Sequence, residues 1–371
     1  MNLYPKLILD ALAHVRYPGT GKDIVSAGMV QDNIRIDGKK VSFSLIFDKP
    51  NDPFAKSVAK AAEQAILTYI SEEVEIKGNI NIVFKEQVKS KPVSILPNVK
   101  NIIAVFSGKG GVGKSTVSSN LAISLASLGY KVGLLDADIH GPSIPKMFGV
   151  EDAAPYVETR EDGKQMVIPI EKYGVKLLSI GFFVSQENAL VWRGGMASNA
   201  LKQLITDVNW GELDFFVMDL PPGTGDIHLT LVQTMGITGA IAVTTPQDVA
   251  LADARKGINM FLDEKINVPV LGLIENMAWF TPAELPENKY YIFGKNGGKK
   301  LAEELNVPLL GQIPLVQSIR ESGDDGKPIA VNENSIAGLA FRDLGIKIVE
   351  QVEVRNKTKE STKKVEISSN R

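Results

Sequence analysis

The sequence predicts an α/β fold, a mostly parallel sheet flanked by helices, with a small α+β domain ahead of it. Three observations carry this expectation. The apolar run Asn101–Phe106 leads straight into Gly108-Lys109-Gly110-Gly111-Val112-Gly113-Lys114-Ser115, and Leu121, Leu125 and Leu128 follow at helical spacing. Lys131-Val-Gly-Leu-Leu135 is a second apolar strand, and strand, helix, strand in that order makes a right-handed crossover within a parallel sheet. Asp214-Phe-Phe-Val-Met-Asp219 is a third, ending on an acid as the second does one residue on, at Asp136.

Residues 1–88 read as the small α+β domain. Leu3 to Val15 has the spacing of an amphipathic helix, and Val41 to Phe47 alternates apolar and mostly small polar residues, as a half-buried strand does. Asp52-Pro53 is a cap followed by proline at the first helical position. The helix it opens carries Phe54, Val58, Ala61, Ala65, Ile66 and Tyr69, and Asn79 to Phe84 is a further strand. Residues 89–100, with Lys89, Lys91, Pro92, Pro97 and Lys100, read as an exposed connector. The larger domain spans 101–352. Residues 353–371 are charged and poor in large apolar side chains, which predicts a disordered tail.

The glycine-rich stretch fits G-x-x-x-x-G-K-[ST] between a strand and a helix. That context makes it a phosphate-binding loop, in which backbone N–H groups converge on phosphate oxygens at a helix N-terminus. Gly108, Lys109, Gly110, Gly111, Val112, Gly113, Lys114, Ser115 and Thr116 are the candidate nucleotide-binding residues. Lys114 is expected to neutralise the β- and γ-phosphates of ATP, and the Ser115 hydroxyl to sit on Mg²⁺. Carboxylates at strand C-termini face the ligand crevice of such sheets. Asp138 is therefore the candidate for orienting the attacking water, and Asp136 and Asp219 for organising the Mg²⁺ shell. After Asp219 comes Pro221-Pro222-Gly223-Thr224-Gly225, a stiff, glycine-hinged segment suited to sensing the γ-phosphate.

Between 149 and 209 a hairpin is expected from Tyr156 to Ile170, then the apolar Val175 to Ile180, then Trp192-Arg193-Gly194-Gly195-Met196 leading into a helix. Later strands fall at Ala240–Thr244, Val268–Ile274 and Val307–Ile313, with helices after Gln247, Gly297 and Asn334. The Asn276 amide is placed to hydrogen-bond an adenine edge through both donor and acceptor, and Pro314 to wall the base.

Composition narrows the function classes. A net charge of −2 gives no global attraction to nucleic acid or to anionic lipid, so neither is expected as a partner. No stretch has the length of a signal peptide's apolar core or a membrane span, which predicts a cytoplasmic location. The chain has no cysteine, which excludes disulfides, thiolate metal sites and cysteine nucleophiles; its three histidines, His14, His140 and His228, are far apart in sequence.

Taken together, Lys-Gly-Gly-Val-Gly-Lys-Ser-Thr at 109–116, Leu-Leu-Asp-Ala-Asp-Ile-His-Gly-Pro-Ser at 134–143, Trp-Arg-Gly-Gly-Met at 192–196, Met-Asp-Leu-Pro-Pro-Gly-Thr-Gly-Asp at 218–226 and Glu-Asn-Met at 275–277 resemble the Mrp/ApbC family of iron–sulfur cluster carrier ATPases. The loop itself resembles the deviant Walker A of partition-type and nitrogenase-iron-protein-type P-loop NTPases, and the first 88 residues are similar to the small iron–sulfur-assembly P domain. The resemblance implies a homodimeric ATPase that carries a [4Fe-4S] cluster to apo iron–sulfur proteins or works with assembly factors. It also implies that Lys109 reaches across the dimer to the partner's nucleotide as a catalytic residue beside Lys114 and Asp138. A partition or positioning switch is the alternative class, and the tail lacks the amphipathic helix that membrane attachment would need. One departure stands out. Where the family carries Cys-x-x-Cys shortly after Glu-Asn-Met, this chain has Pro282 and Leu285, neither of which ligates iron.

Overall fold

A computed structural model describes residues 3–47, 52–84, 95–139, 141–160, 163–183, 195–282, 284–285, 287–360 and 362. The chain divides into two compact units, Met1–Pro92 and Val93–Arg371. Much of the expected connector and the Trp192-Arg193-Gly194 segment lie outside the described residues, as does His140.

The first unit packs α1 (Pro5–Leu12) and α2 (Ala55–Tyr69) with β1 (Arg35–Asp37), β2 (Lys40–Phe47) and β3 (Ile80–Phe84). Ile8 and Leu12 of α1, Val58, Ala62 and Ile66 of α2, and Val41, Phe43, Leu45 and Phe47 of β2 form one apolar core. The odd-numbered β2 residues point inward, as the alternating pattern requires. The expected cap at Asp52 with Pro53 opening the helix is corrected: α2 begins at Ala55 with Phe54 as its N-cap, and the Asp52 carboxylate accepts from the Phe54 N–H at 2.8 Å, in the turn before the helix.

The second unit is built on a sheet whose described strands run β13 (Leu309–Leu315), β12 (Val270–Phe280), β11 (Gly239–Thr244), β4 (Val99–Phe106), β10 (Leu213–Asp219), β5 (Val132–Asp136), β9 (Val175–Ser179) and β8 (Ile170–Lys172). All neighbours pair in parallel except β8 with β9. β6 (Val157–Thr159) and β7 (Gln165–Val167) form a separate hairpin where one is expected.

The central strands are continuous apolar runs because both faces of the sheet are covered. In β4, Ile102, Ala104 and Phe106 enter one core, while Ile103 and Val105 enter the other. The first core is closed by α5 (Gly195–Thr206), α6 (Asp226–Thr234), α7 (Asp248–Leu262) and α8 (Gly297–Glu304), through residues such as Leu201, Leu231, Phe261 and Leu301. The second is closed by α3 (Lys114–Ser127) and α10 (Ile336–Thr358), through Leu121, Leu125, Phe341 and Ile348, with α4 (Ile144–Phe148) beside them through Phe148. A short helix, α9 (Gln317–Asp324), follows β13. This sandwich brings the carboxyl ends of β4, β5 and β10 together, in the register Val105 to Asp219 to Asp136.

The C-terminal end corrects one expectation. A disordered tail was expected from residue 353, yet α10 continues to Thr358. Its buried positions run Phe341, Leu344, Ile348, Val352 and Arg355, so the helical period persists through an arginine. Arginine hides from a sequence reader here because its methylene stem packs while its head is classed as charged. The Arg355 guanidinium donates to the Glu360 carbonyl at 2.8 Å and the Thr362 hydroxyl at 2.6 Å. β12 likewise runs on to Phe280, past the expected end at Ile274.

Candidate nucleotide site

The loop between β4 and α3 is shaped by two close approaches. Gly113 has φ +83°, and a Cβ there would lie 2.2 Å from the Asn276 amide nitrogen; at Gly108 it would lie 2.1 Å from the Asp253 backbone. Only glycine meets both demands, since it tolerates positive φ and lets backbone or side chain come close. The Asn276 amide in turn donates to the Val112 carbonyl at 2.8 Å, which pins the loop to the end of β12.

Lys114, the first residue of α3, is almost fully buried, with Nζ 2.9 Å from Asp219 Oδ2 and 3.9 Å from Asp138 Oδ2. Ser115 donates to Asp219 Oδ2 at 2.6 Å, and Ser118, one turn on, donates to Asp219 Oδ1 at 2.7 Å. The sequence reading missed Ser118. The available signal was the polar group Ser115, Ser118 and Ser119 in a helix that also buries Val117, Leu121, Ala122 and Leu125. Gly223 of the segment after Asp219 donates its N–H to the Ser107 carbonyl at 2.8 Å, so that segment lies against the loop.

Asp136 sits beside Asp219 and is fully buried. Its oxygens accept from the Asp138 N–H (3.2 Å), the Ile144 N–H (3.2 Å) and the Ser179 hydroxyl (2.9 Å). Burial, and then the neighbouring Asp219 charge, push its pKa up to about 7, against the pull of those hydrogen bonds and of Lys114. Lys109 stands exposed at the front of the loop, its carbonyl accepting from the Ser107 hydroxyl at 2.9 Å.

Two adjoining clefts meet at this loop. One, of about 210 Å³, is lined by Gly110, Gly113, Lys114, Ser115, Asp138 and Pro222. The other, of about 370 Å³, is lined by Asn276, Met277, Pro314, Ile319 and Arg320, and shares Gly113, Thr116, Ser143 and Met147 with the first. Of the expected residues, Gly110, Gly111, Gly113, Lys114, Ser115 and Thr116 line this bipartite cavity with Asn276 and Pro314, while Gly108, Lys109 and Val112 are not among its lining residues. One amide N–H of Asn276 is already engaged with Val112, leaving the other N–H and the carbonyl oxygen for a ligand.

Among protein families, residues 98–350 match one described as NUBPL iron-transfer P-loop NTPase, and residues 6–77 match one described as iron-sulfur cluster assembly protein. The chain belongs to the first of these families. It is 44% identical over 328 residues to the iron-sulfur cluster carrier protein of Synechocystis sp., spanning 88% of this chain and 91% of that one. With the iron-sulfur cluster carrier protein of Deinococcus radiodurans the identity is 42% over 349 residues, 94% of this chain and 95% of the relative. Among solved structures, a nucleotide-binding protein of Archaeoglobus fulgidus in complex with ADP superposes with TM-score 0.55 at 36% identity, covering 66% of this chain and 93% of that one. The septum site-determining protein MinD of Pyrococcus horikoshii, complexed with Mg-ADP, superposes with TM-score 0.51 at 26% identity, covering 70% and 99%. The likeness to MinD is one of fold. The family and the nucleotide-bound neighbour of 36% identity make this chain an ATP-binding P-loop NTPase. No helix among the described residues is long and apolar enough to cross a membrane.

The donor chemistry separates the two metal-containing groups that bear on the family. Magnesium fits, since Ser115 and Asp219 offer hard oxygens beside the loop and this cation takes one or two carboxylates plus phosphate and water. An iron–sulfur cluster does not fit. The chain has no cysteine, and no group of three His, Cys, Asp or Glu among the described residues is placed to hold a metal.

His228, near the start of α6 and just after the 221–225 segment, is a further buried group. It is 2% exposed, and neither ring nitrogen has a partner within normal hydrogen-bond geometry. Burial pushes its pKa down to about 4, the Gly225 and Pro221 carbonyls pull it back, and the Lys114 charge adds to the lowering. A base whose folded pKa is lowered contributes stability above its unfolded pKa, here near 6.5, and loses it as pH falls toward 4. His228→Phe should therefore lose less stability than the native chain between pH 6.5 and pH 4, by up to about 3 kcal/mol at the acid end. Packing changes in the variant are independent of pH, so the slope of urea midpoints against pH is the readout. Parallel slopes would show that His228 is not buried in its neutral form.

Proposed function

We propose that this chain is a Mg-dependent ATPase, acting as a homodimer, that drives the supply of iron–sulfur clusters to apo-proteins or assembly factors. The observation that supports it best is the convergence of Lys114, Ser115, Asp138 and Asp219 on one side of a bipartite cleft, with Asn276 and Pro314 on the other. A cytoplasmic location accords with this reading.

Phosphoryl transfer asks a protein mainly for positioning and charge. Lys114 and the loop N–H groups hold the β- and γ-phosphates, Lys114 exchanging its carboxylate partners for phosphate oxygens. Ser115 and Asp219 hold Mg²⁺, which when bound neutralises charge on the phosphates. Ser118 keeps the Asp219 carboxylate turned toward Ser115. Asp136 acts one step back, since its oxygens are taken, and steadies the backbone at Asp138. Asp138 aligns the attacking water, and Lys109 of the partner subunit meets the charge that develops on the transferring group. Asn276 and Pro314 hold the base. The hydrogen bond from Gly223 to Ser107 gives the 221–225 segment a route to report the γ-phosphate.

The direct test couples two readouts in one anaerobic mixture, phosphate release from Mg-ATP and the rate at which an apo [4Fe-4S] protein matures from a cluster donor. ATP together with the chain should speed maturation severalfold over either alone. Steady phosphate release with no effect on maturation at any ratio would sink the assembly role and leave the ATPase.

A further inference from the structure

The disagreement between family and donor set has a structural side. The segment after β12 forms a closed loop, with Phe280 and Tyr290 exchanging backbone hydrogen bonds at 2.8 and 2.9 Å. Inside it the Leu285 N–H donates to the Pro282 carbonyl at 3.2 Å, and the Asn288 N–H to the Leu285 carbonyl at 3.0 Å. A hydrogen bond from i+3 back to i draws the two α-carbons to within about 7 Å. Positions 282 and 285 are therefore neighbours across one turn, and Leu285 is 50% exposed although it is apolar.

We propose that this chain serves iron–sulfur assembly without holding a cluster on its own side chains, while keeping the turn in which a pair of thiolates would hold one. The proposal rests on the assembly role given above. Ordinary clusters are held by cysteine thiolates, with histidine replacing only part of the set. The side chains at the turn are a pyrrolidine ring and an isobutyl group. Glu284 and Glu287 stand exposed beside them, but carboxylates are hard ligands and poor partners for iron in a sulfide cage. The imidazoles offer no substitute. His14 stacks on Tyr69 at 4.1 Å in the first unit, His228 is buried, and His140 outside the described residues is a single nitrogen donor. The thiolates that hold the cargo must then come from the apo-protein, an assembly partner or a small thiol, and ATP turnover acts on that complex.

The test compares the native chain with the double variant Pro282→Cys, Leu285→Cys, each reconstituted anaerobically with iron and sulfide and then desalted without added thiol. The native chain should retain only background iron and show no charge-transfer absorbance. The double variant should gain one cluster for every two chains, because a cubane cluster takes four thiolates and each copy brings two. Leu285→Cys alone should stay at background. Unchanged ATP turnover certifies that each variant is folded. A stoichiometric cluster on the native chain after desalting would overturn the proposal. A folded double variant that binds nothing would overturn its second half, the retained turn. Failure of the assembly role itself shows elsewhere, as absence of any effect of the native chain on apo-protein maturation, whichever way the reconstitution falls.

Discussion

Replacing Lys114 with alanine should lower ATP turnover at least about a hundredfold, the scale on which removing one charge-stabilising donor from a preorganised site acts. Tight nucleotide binding should go with it, because the loop N–H groups remain but the buried ammonium beside the loop is gone. The structure adds a second consequence. Lys114 Nζ is 2.9 Å from a fully buried Asp219, which neighbours the equally buried Asp136. Removing one partner of a buried ion pair leaves the other uncompensated, at a cost of about 3–5 kcal/mol. The variant should therefore unfold at lower urea, and more so above the raised pKa of Asp136, where that carboxylate is also charged. Adding Asp219→Asn to Lys114→Ala should recover part of that stability and none of the turnover. Calorimetric ATP binding, phosphate release and urea midpoints separate the two effects. An alanine variant that binds Mg-ATP with native affinity would show that Lys114 does not face the phosphates.

Much of this site is legible in the sequence because its parts are local. Strand, glycine loop and helix occupy about thirty consecutive residues, and the acids that close the site end two other apolar strands, so parallel pairing alone brings them together. The register Val105 to Asp219 to Asp136 is what such pairing predicts. Contacts between residues far apart in the chain were less legible. Ser118 reads as one more serine in a helix until Asp219 is set beside it, more than a hundred residues later. The Asn276 amide was expected to serve a base through both its groups, but one N–H closes on Val112 across 164 residues. Asp136 was expected to help organise the Mg²⁺ shell, and only the structure shows that its oxygens already accept from three donors. Arg355 hid the last turns of α10 because a pattern of apolar letters cannot represent a side chain that is apolar along its stem alone.

Lys109→Ala should leave much of the nucleotide affinity and lower turnover by about a thousandfold, the range in which a cation supplied in trans acts on phosphoryl transfer. Within one chain Lys109 is exposed at the front of the loop, while Lys114 lies under it with its ammonium among carboxylates. Under the proposed function the two lysines of one loop divide the work, Lys114 serving its own nucleotide and Lys109 a partner's. Symmetry makes the test quantitative. In a two-fold dimer each site takes Lys114 from one copy and Lys109 from the other. A Lys114→Ala chain has a dead site of its own but still offers an intact Lys109. Mixed one to one with Lys109→Ala chains, half of the dimers are heterodimers, and each heterodimer holds one complete site. Two nearly inactive preparations should then combine to about a quarter of native turnover per chain, provided copies exchange freely. Turnover that rises on mixing with the expected dependence on ratio would place the two lysines on different copies of one site. Full activity in Lys109→Ala alone, or no recovery on mixing despite proven exchange, would remove Lys109 from the partner's site.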